Sequence, residues 1–264
     1  MRCPLSMSGD ITVAGLKLAR RLLNRKFRST AGEFLVEGAQ CVREAVREGA
    51  ASRILATSEA AHQFPDLVAQ GYERLVEGQV RQLTDTVTSQ GIFAVCSLPS
   101  YGFDDVFASD AKLVVVCAQI RDPGNLGTVV RCADAFGADG VVTTSGSVDL
   151  TNPKTVRAST GSIFHLPVVC GADLEDTVPR AHESGFTALA ADGSGTDLNT
   201  LAATGRLDGK IAWILGNEAW GLPPEQLELA DEVVRIPMWG RAESLNLSTA
   251  AAVCLYATAS RQRG

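Results

Sequence analysis

The chain has 264 residues, 45% apolar and 20% charged, enough for one large or two medium cores and too apolar for wholesale disorder. No apolar run reaches the roughly 18 residues a membrane helix needs, and 1–10 lacks the apolar centre of a secretion signal. The net charge of −6 gives no overall attraction to phosphate, and the seven cysteines are scattered and never in a CxxC pair, which argues against a disulfide framework and a zinc site.

In chain order, 1–10 reads as a flexible extension. A helix is expected from Thr12, with Leu18, Leu22 and Leu23 at helical spacing. A basic run overlaps it: Lys17, Arg20, Arg21, Arg25, Lys26 and Arg28, with no acidic residue between the first and the last. It reads either as a solvated helix face or as a set of phosphate contacts. Glu33 to Glu37 reads as a strand, and Gly38 to Gly49 as a helix with Cys41, Val42, Ala45 and Val46 on one face. Ser52 to Thr57, Leu75 with Val76, and Ile92 to Cys96 are further strands, so 1–100 is expected to be a small α/β domain. The polar, turn-rich stretch 101–110 is expected to be a linker.

The pattern restarts after it, and 111–264 is expected to be a second α/β domain with a parallel sheet. Leu113 to Cys117 is a continuous apolar run, as in a strand covered on both faces. A helix from Gly127 to Phe136 follows, then strands at Gly140–Thr143, His165–Val169, Thr187–Ala190, Ile211–Leu215 and Val233–Ile236. An Ala-rich helix over Leu247 to Ala259 ends the series.

Three clusters are not explained by periodicity. Asp122 to Arg131 follows a buried strand, with a tight turn and a helix start at the sheet edge where α/β proteins bind ligands. Leu215 to Pro223 follows another buried strand, and its Gly216 and Gly221 permit close backbone approach to a ligand. Ile236-Pro237-Met238 and Glu243 to Ser248 form the third, where Ser and Asn also serve as ordinary helix caps. Each cluster alone reads equally as a turn or a cap.

Together they resemble motifs 1, 2 and 3 of the SpoU (TrmH-like) branch of the SPOUT methyltransferases: Asn125 with Arg131, Gly216-Asn217-Glu218, and Ser244-Leu245-Asn246. The spacing of Gly216, Ile236 and Leu245 is similar to that family's cofactor loops. The resemblance runs from Val114 to the C-terminus and includes Ser147–Lys154 and Arg157–Gly161. The segment from the basic run through Gly38 resembles the family's fused substrate-binding domain, itself similar to a small RNA-binding ribosomal protein.

The resemblance implies a SPOUT domain with a parallel sheet and a deep trefoil knot, working as a homodimer packed through the knot region. It implies an S-adenosylmethionine-dependent RNA 2′-O-ribose methyltransferase acting on ribosomal RNA, while the scattered cysteines and the missing ligand pattern lead to the expectation of a reduced, cytoplasmic protein without a metal. Asn125, Arg131, Glu218, Ser244 and Asn246 would be the catalytic set, with Glu218 fixing Arg131. Ala191, Gly216, Asn217, Glu218, Ile236, Met238, Ser244 and Leu245 would hold the cofactor. Lys17, Arg20, Arg21, Arg25, Lys26 and Arg28 would bind RNA. A base methyltransferase of the same fold and a non-catalytic RNA-binding relative remain open. A Rossmann-type dinucleotide enzyme does not fit, because no GxGxxG follows a strand.

Overall fold

The computed structural model describes residues 9–264. Cys3 and the expectation for 1–8 lie outside them. The first elements are β1 (Gly9–Asp10), α1 (Val13–Arg21), α2 (Arg25–Ala31), β2 (Glu33–Glu37), α3 (Ala39–Arg47), β3 (Ala51–Thr57), α4 (Ser58–Gln63), β4 (Glu73–Leu75), α5 (Glu77–Val80) and β5 (Ile92–Ser97). Then come α6 (Phe103–Val106), β6 (Leu113–Cys117), α7 (Pro123–Ala135), β7 (Gly140–Thr144), α8 (Pro153–Ser159), β8 (Val168–Ala172), α9 (Leu174–Glu183) and β9 (Thr187–Asp197). The last are α10 (Leu198–Ala203), β10 (Ile211–Leu215), α11 (Pro224–Leu227), β11 (Glu232–Arg235) and α12 (Leu247–Arg263).

The chain forms two compact units, one of Met1–Pro99 with Thr151–His165, the other of Ser100–Leu150 with Leu166–Gly264. The first contains a five-stranded mixed sheet in the order β1-β4-β3-β5-β2. Gly9 and Asp10, assigned above to a flexible extension, pair in parallel with Glu73 and Arg74. The single helix expected from Thr12 is two. Thr12 caps α1 through its side chain, and Asn24 starts α2 by accepting from the Phe27 N–H. Ile11, Ala19, Leu22, Leu35, Leu55, Leu75, Phe93 and Val95 share one core.

The segment 151–165, read above as part of the second domain, folds with the first unit. The ring of Phe164 stacks on that of Phe34 with centroids 6.0 Å apart. Arg157 on α8 donates to Glu37 at 3.0 Å, and the Glu37 carboxylate also accepts from Thr84, Thr86 and Ser89. The stretch 101–110 is likewise more than a linker. It contains α6, and Val106 and Phe107 are buried in the second unit's core.

The second unit has an all-parallel six-stranded sheet, ordered β11-β9-β10-β6-β7-β8. Its central strands are apolar on both faces. Val114, Val116, Val142, Ala188, Ala190, Ala212 and Ile214 pack with Leu174, Val178 and Ala181 of α9. On α12, Thr258 accepts a hydrogen bond from the buried Trp213 indole N–H at 2.9 Å. β8 starts at Val168 rather than His165, because His165 closes a short 3-10 turn. β9 runs past Ala190 to Asp197, since its polar second half pairs with Val234 and Arg235 across a bulge.

The chain leaves β6 toward β7 and β8, then crosses to β9 and returns to β10 beside β6. This reversal puts the loops after β6 and β10 and the polar second half of β9 at one sheet edge, where open α/β sheets form ligand crevices.

Buried thiols are pushed up by desolvation, Cys41 to about 11 and Cys117 and Cys254 to about 12, which marks them as packing groups rather than nucleophiles. Cys170 is exposed.

Candidate active site

Two adjoining pockets open in the second unit. The larger, about 590 Å³, is lined by residues of β9, of the loop after β10 and of the turn before α12, among them Gly193, Gly216, Glu218, Trp220, Ser244 and Asn246. The smaller, about 270 Å³, has an apolar wall of Val234, Ile236, Met238, Leu245 and Ala250. They share Ala191, Asp192, Gly193, Ser244, Leu245 and Ala250. Every residue named above for cofactor binding lines one pocket or both.

The loop after β10 is a tight turn. Asn217 and Gly221 exchange backbone hydrogen bonds of 3.0 and 2.9 Å. The Asn217 amide donates to the Gln119 carbonyl at 2.7 Å, and its oxygen accepts from the Ala219 N–H at 2.8 Å. Gln119 holds a left-handed φ of 53°, a strained setting for a side-chain-bearing residue and common at functional sites. A Cβ on Gly216 would overlap the Gly221–Leu222 backbone, so only glycine fits there.

The turn delivers Glu218 to the start of α7. Its carboxylate accepts from the Arg121 and Asp122 N–H groups and from the Asn125 side-chain amide, each at 3.1 Å. Burial alone would raise this carboxyl. The N–H groups of Glu218 itself and Arg121, then Asn125 and Asp122, outweigh it and hold the group below the usual glutamate range. Glu218 is therefore ionised at neutral pH. The stabilisation it gives is present above the usual glutamate range and is lost as pH falls through the lowered value.

Asn125 completes the link, its oxygen accepting from the Asn246 amide at 3.0 Å. Asn246 also caps α12, accepting from the Ser248 N–H at 2.9 Å, and Asp122 caps α7 by accepting from the Asn125 N–H at 2.8 Å. The capping chemistry and the site thus use the same side chains. Glu218, Asn125 and Asn246 form one hydrogen-bonded chain, in which Asn125 bonds residues 93 and 121 positions away.

Arg131 is not part of it. It is exposed on α7, six residues beyond Asn125, and its side chain makes no hydrogen bond or ion pair among the described residues. The expected Glu218–Arg131 bond is absent, because the turn aims the carboxylate at the N-terminal end of α7. Asp192, Gly193, Trp220 and Ala250 also line the site and were missed. Asp192 and Gly193 follow the expected end of β9 in a stretch that reads as plain loop, and Trp220 sits inside the second cluster without a sequence pattern to assign it.

On the first unit, Lys17, Arg20, Arg21, Arg25 and Lys26 are exposed. Arg28 is 3% exposed and donates to the carbonyls of Leu22 and Leu23 and to Thr151. It holds α1, α2 and residue 151 together, which corrects its assignment to RNA. Charge counting could not separate it from its neighbours. Arg28→Ala should lower stability by about 3 kcal/mol in urea denaturation, since the buried acceptors lose their donor. Arg20→Ala should change it by less than about 0.5 kcal/mol.

The family model for the SpoU rRNA methylase family matches residues 112–256, and that for the MRM3-like substrate-binding domain matches 14–94. The 23S rRNA (guanosine(2553)-2′-O)-methyltransferase RlmP of Bacillus subtilis is 35% identical over 242 residues, covering 90% of this chain and 92% of its own. The 23S rRNA (uridine(2479)-2′-O)-methyltransferase of Streptomyces viridochromogenes is 31% identical, covering 91% of this chain and 86% of its own. The SpoU methyltransferase AviRb from Streptomyces viridochromogenes, solved in complex with AdoMet, superposes with a TM-score of 0.80 at 29% identity, over 94% of this chain and 98% of that one. On these matches, and on the α/β architecture that carries them, the chain belongs to the SpoU rRNA methylase family.

Proposed function

We propose that the chain is an S-adenosylmethionine-dependent RNA 2′-O-ribose methyltransferase acting on ribosomal RNA. The observation that carries this reading is the bonded chain of Glu218, Asn125 and Asn246 beside the pocket formed by the second half of β9, the loop after β10 and the turn before α12. The pocket's residues fit the methyl donor. Ile236, Met238, Leu245 and Ala250 offer an apolar slot for a flat ring. A Cβ at Gly193 would meet open space, and the carboxylates of Asp192 and Glu218 suit a ligand with positive sulfur and amino groups.

When bound, S-adenosylmethionine supplies a methyl on a cationic sulfur that leaves readily. The work left to the protein is to position a ribose hydroxyl, whose proton is held far above neutral pH, and to favour the charge that develops on its oxygen. Arg131 is a poor base, because a guanidinium does not give up its proton in proteins. Its free, exposed head instead suits a clamp on the neighbouring phosphate and an electrostatic partner for the developing alkoxide. Asn125, fixed from both sides, and Ser244 and Asn246 hold the nucleotide and the cofactor loop. Alignment supplies much of the rate.

The exposed cations of α1 and α2 would contact RNA phosphates, giving salt-dependent affinity despite the net negative chain. Ala252 and Val253 on the outer side of α12 are half-buried and Tyr256 is exposed, which suits a homodimer interface through that helix. Among the described residues no helix is long and apolar enough to cross a membrane. With an rRNA substrate we place the enzyme in the cytoplasm.

The test compares large-subunit rRNA from cells with and without this chain, digested to nucleosides and analysed by mass spectrometry. One ribose-methylated nucleoside should disappear with the protein. A lost base-methylated nucleoside, or no change, would refute the reading.

A further inference from the structure

Trp220 stands on the Asn217–Gly221 turn with 57% of its surface exposed. A lone exposed apolar residue is ordinary. This one is distinguished by its setting. The turn beneath it is pinned by the two Asn217–Gly221 backbone bonds, by Asn217 to Gln119, and by Ala219 to Asn217. The indole makes no hydrogen bond, and no ring contact with another aromatic, among the described residues. It lines the larger pocket together with Glu218, Ser244 and Asn246. A rigid loop therefore presents an unpaired aromatic face in the lining of the pocket proposed for the methyl donor, beside which a reacting sugar would have to be held.

We propose that Trp220 is the platform on which the base of the target nucleotide stacks. The inference rests on the RNA ribose methyltransferase reading and adds how the substrate is held. A ribose cannot enter a pocket while its base remains in a helical stack, so the nucleotide must swing out or come from a single-stranded loop. The lost stacking is offset when the base meets a new aromatic face. Indole is the largest such face among the side chains, and the turn that carries it has little freedom left to lose. Stacking is tolerant of base identity, so Trp220 governs how well a nucleotide is held rather than which base is chosen.

The experiment measures methyl transfer from radiolabelled S-adenosylmethionine to large-subunit rRNA purified from cells lacking the chain. Wild type, Trp220→Ala and Trp220→Phe are compared, with the S-adenosylmethionine affinity of each measured by calorimetry. Trp220→Ala should raise KM for RNA by about tenfold or more, with cofactor affinity within about twofold and thermal stability unchanged. Trp220→Phe should recover most of the loss. An unchanged KM in Trp220→Ala, or a Phe variant no better than Ala, overturns the stacking role. A parallel fall in cofactor affinity also overturns it, because the indole would then be a wall of the cofactor site. A wild-type protein that binds S-adenosylmethionine but methylates no RNA overturns the enzyme reading itself, and the platform with it.

Discussion

Arg131→Ala should lower the single-turnover methylation rate by on the order of a thousandfold while leaving S-adenosylmethionine affinity and melting temperature unchanged. The folded chain makes no use of this guanidinium: it is exposed, with no hydrogen bond or ion pair among the described residues. Deleting it opens no cavity and leaves no buried polar group unsatisfied, so the fold should not notice. Nor does Arg131 line either pocket. Six helical residues place its Cα about 9 Å beyond that of Asn125 along the axis, so its proposed contact is with the RNA rather than with the cofactor. Arg131→Lys should recover only part of the rate, since a point charge cannot grip phosphate with two parallel N–H groups. Rapid-quench transfer assays and calorimetry separate the two effects. Turnover that survives the alanine change, or cofactor affinity that falls with it, would remove Arg131 from the mechanism proposed.

Gly216→Ala should damage both stability and cofactor binding. The added methyl falls on the Gly221–Leu222 backbone, which cannot rotate aside as a flexible side chain would. The turn must move, and it carries the Asn217–Gln119 bond and the Glu218 carboxylate away from the start of α7. Overpacking of this kind costs about 1–3 kcal/mol, a fall of roughly 3–10 °C in melting temperature for a chain of this size. S-adenosylmethionine affinity should fall at least about tenfold, because Gly216 and Glu218 both line the pocket. Gly209→Ala is the control. A Cβ there meets nothing within 4 Å, and the melting temperature should hold. Equal behaviour of the two variants would show that the turn is softer than its hydrogen bonds imply.

Much of the second unit's sheet was legible because burial on both faces writes itself as an unbroken apolar run. Leu113–Cys117 and Ile211–Leu215 are strands with the bounds expected of them. The second half of β9 was not legible, since Asp192-Gly193-Ser194-Gly195 has turn composition. It is held as a strand by pairing with β11, and Gly195 lets the two backbones meet closely. α9 was missed because Pro179 lies inside it, although Leu174, Val178 and Ala181 keep helical spacing. The site was legible only in combination. Asn246 and Asp122 look like caps because they are caps, and nothing local says that Asn246 also reaches a residue 121 positions away. The motifs brought Asn125, Glu218 and Asn246 together on paper, but the orientation of Glu218, toward backbone N–H groups rather than Arg131, required coordinates.

The discontinuity of the first unit bears on how the protein is made. Its sheet is complete once Ser97 has been synthesised, yet Phe34 still lacks Phe164, Glu37 lacks Arg157, and Arg28 lacks Thr151. A ribosome adding roughly 5–20 residues per second leaves those partners missing for several seconds after the sheet emerges. The nascent N-terminal unit therefore waits, part-finished, with an aromatic ring and a carboxylate uncovered. Vectorial synthesis delivers its last layer only after the first two strands of the second sheet have left the exit tunnel.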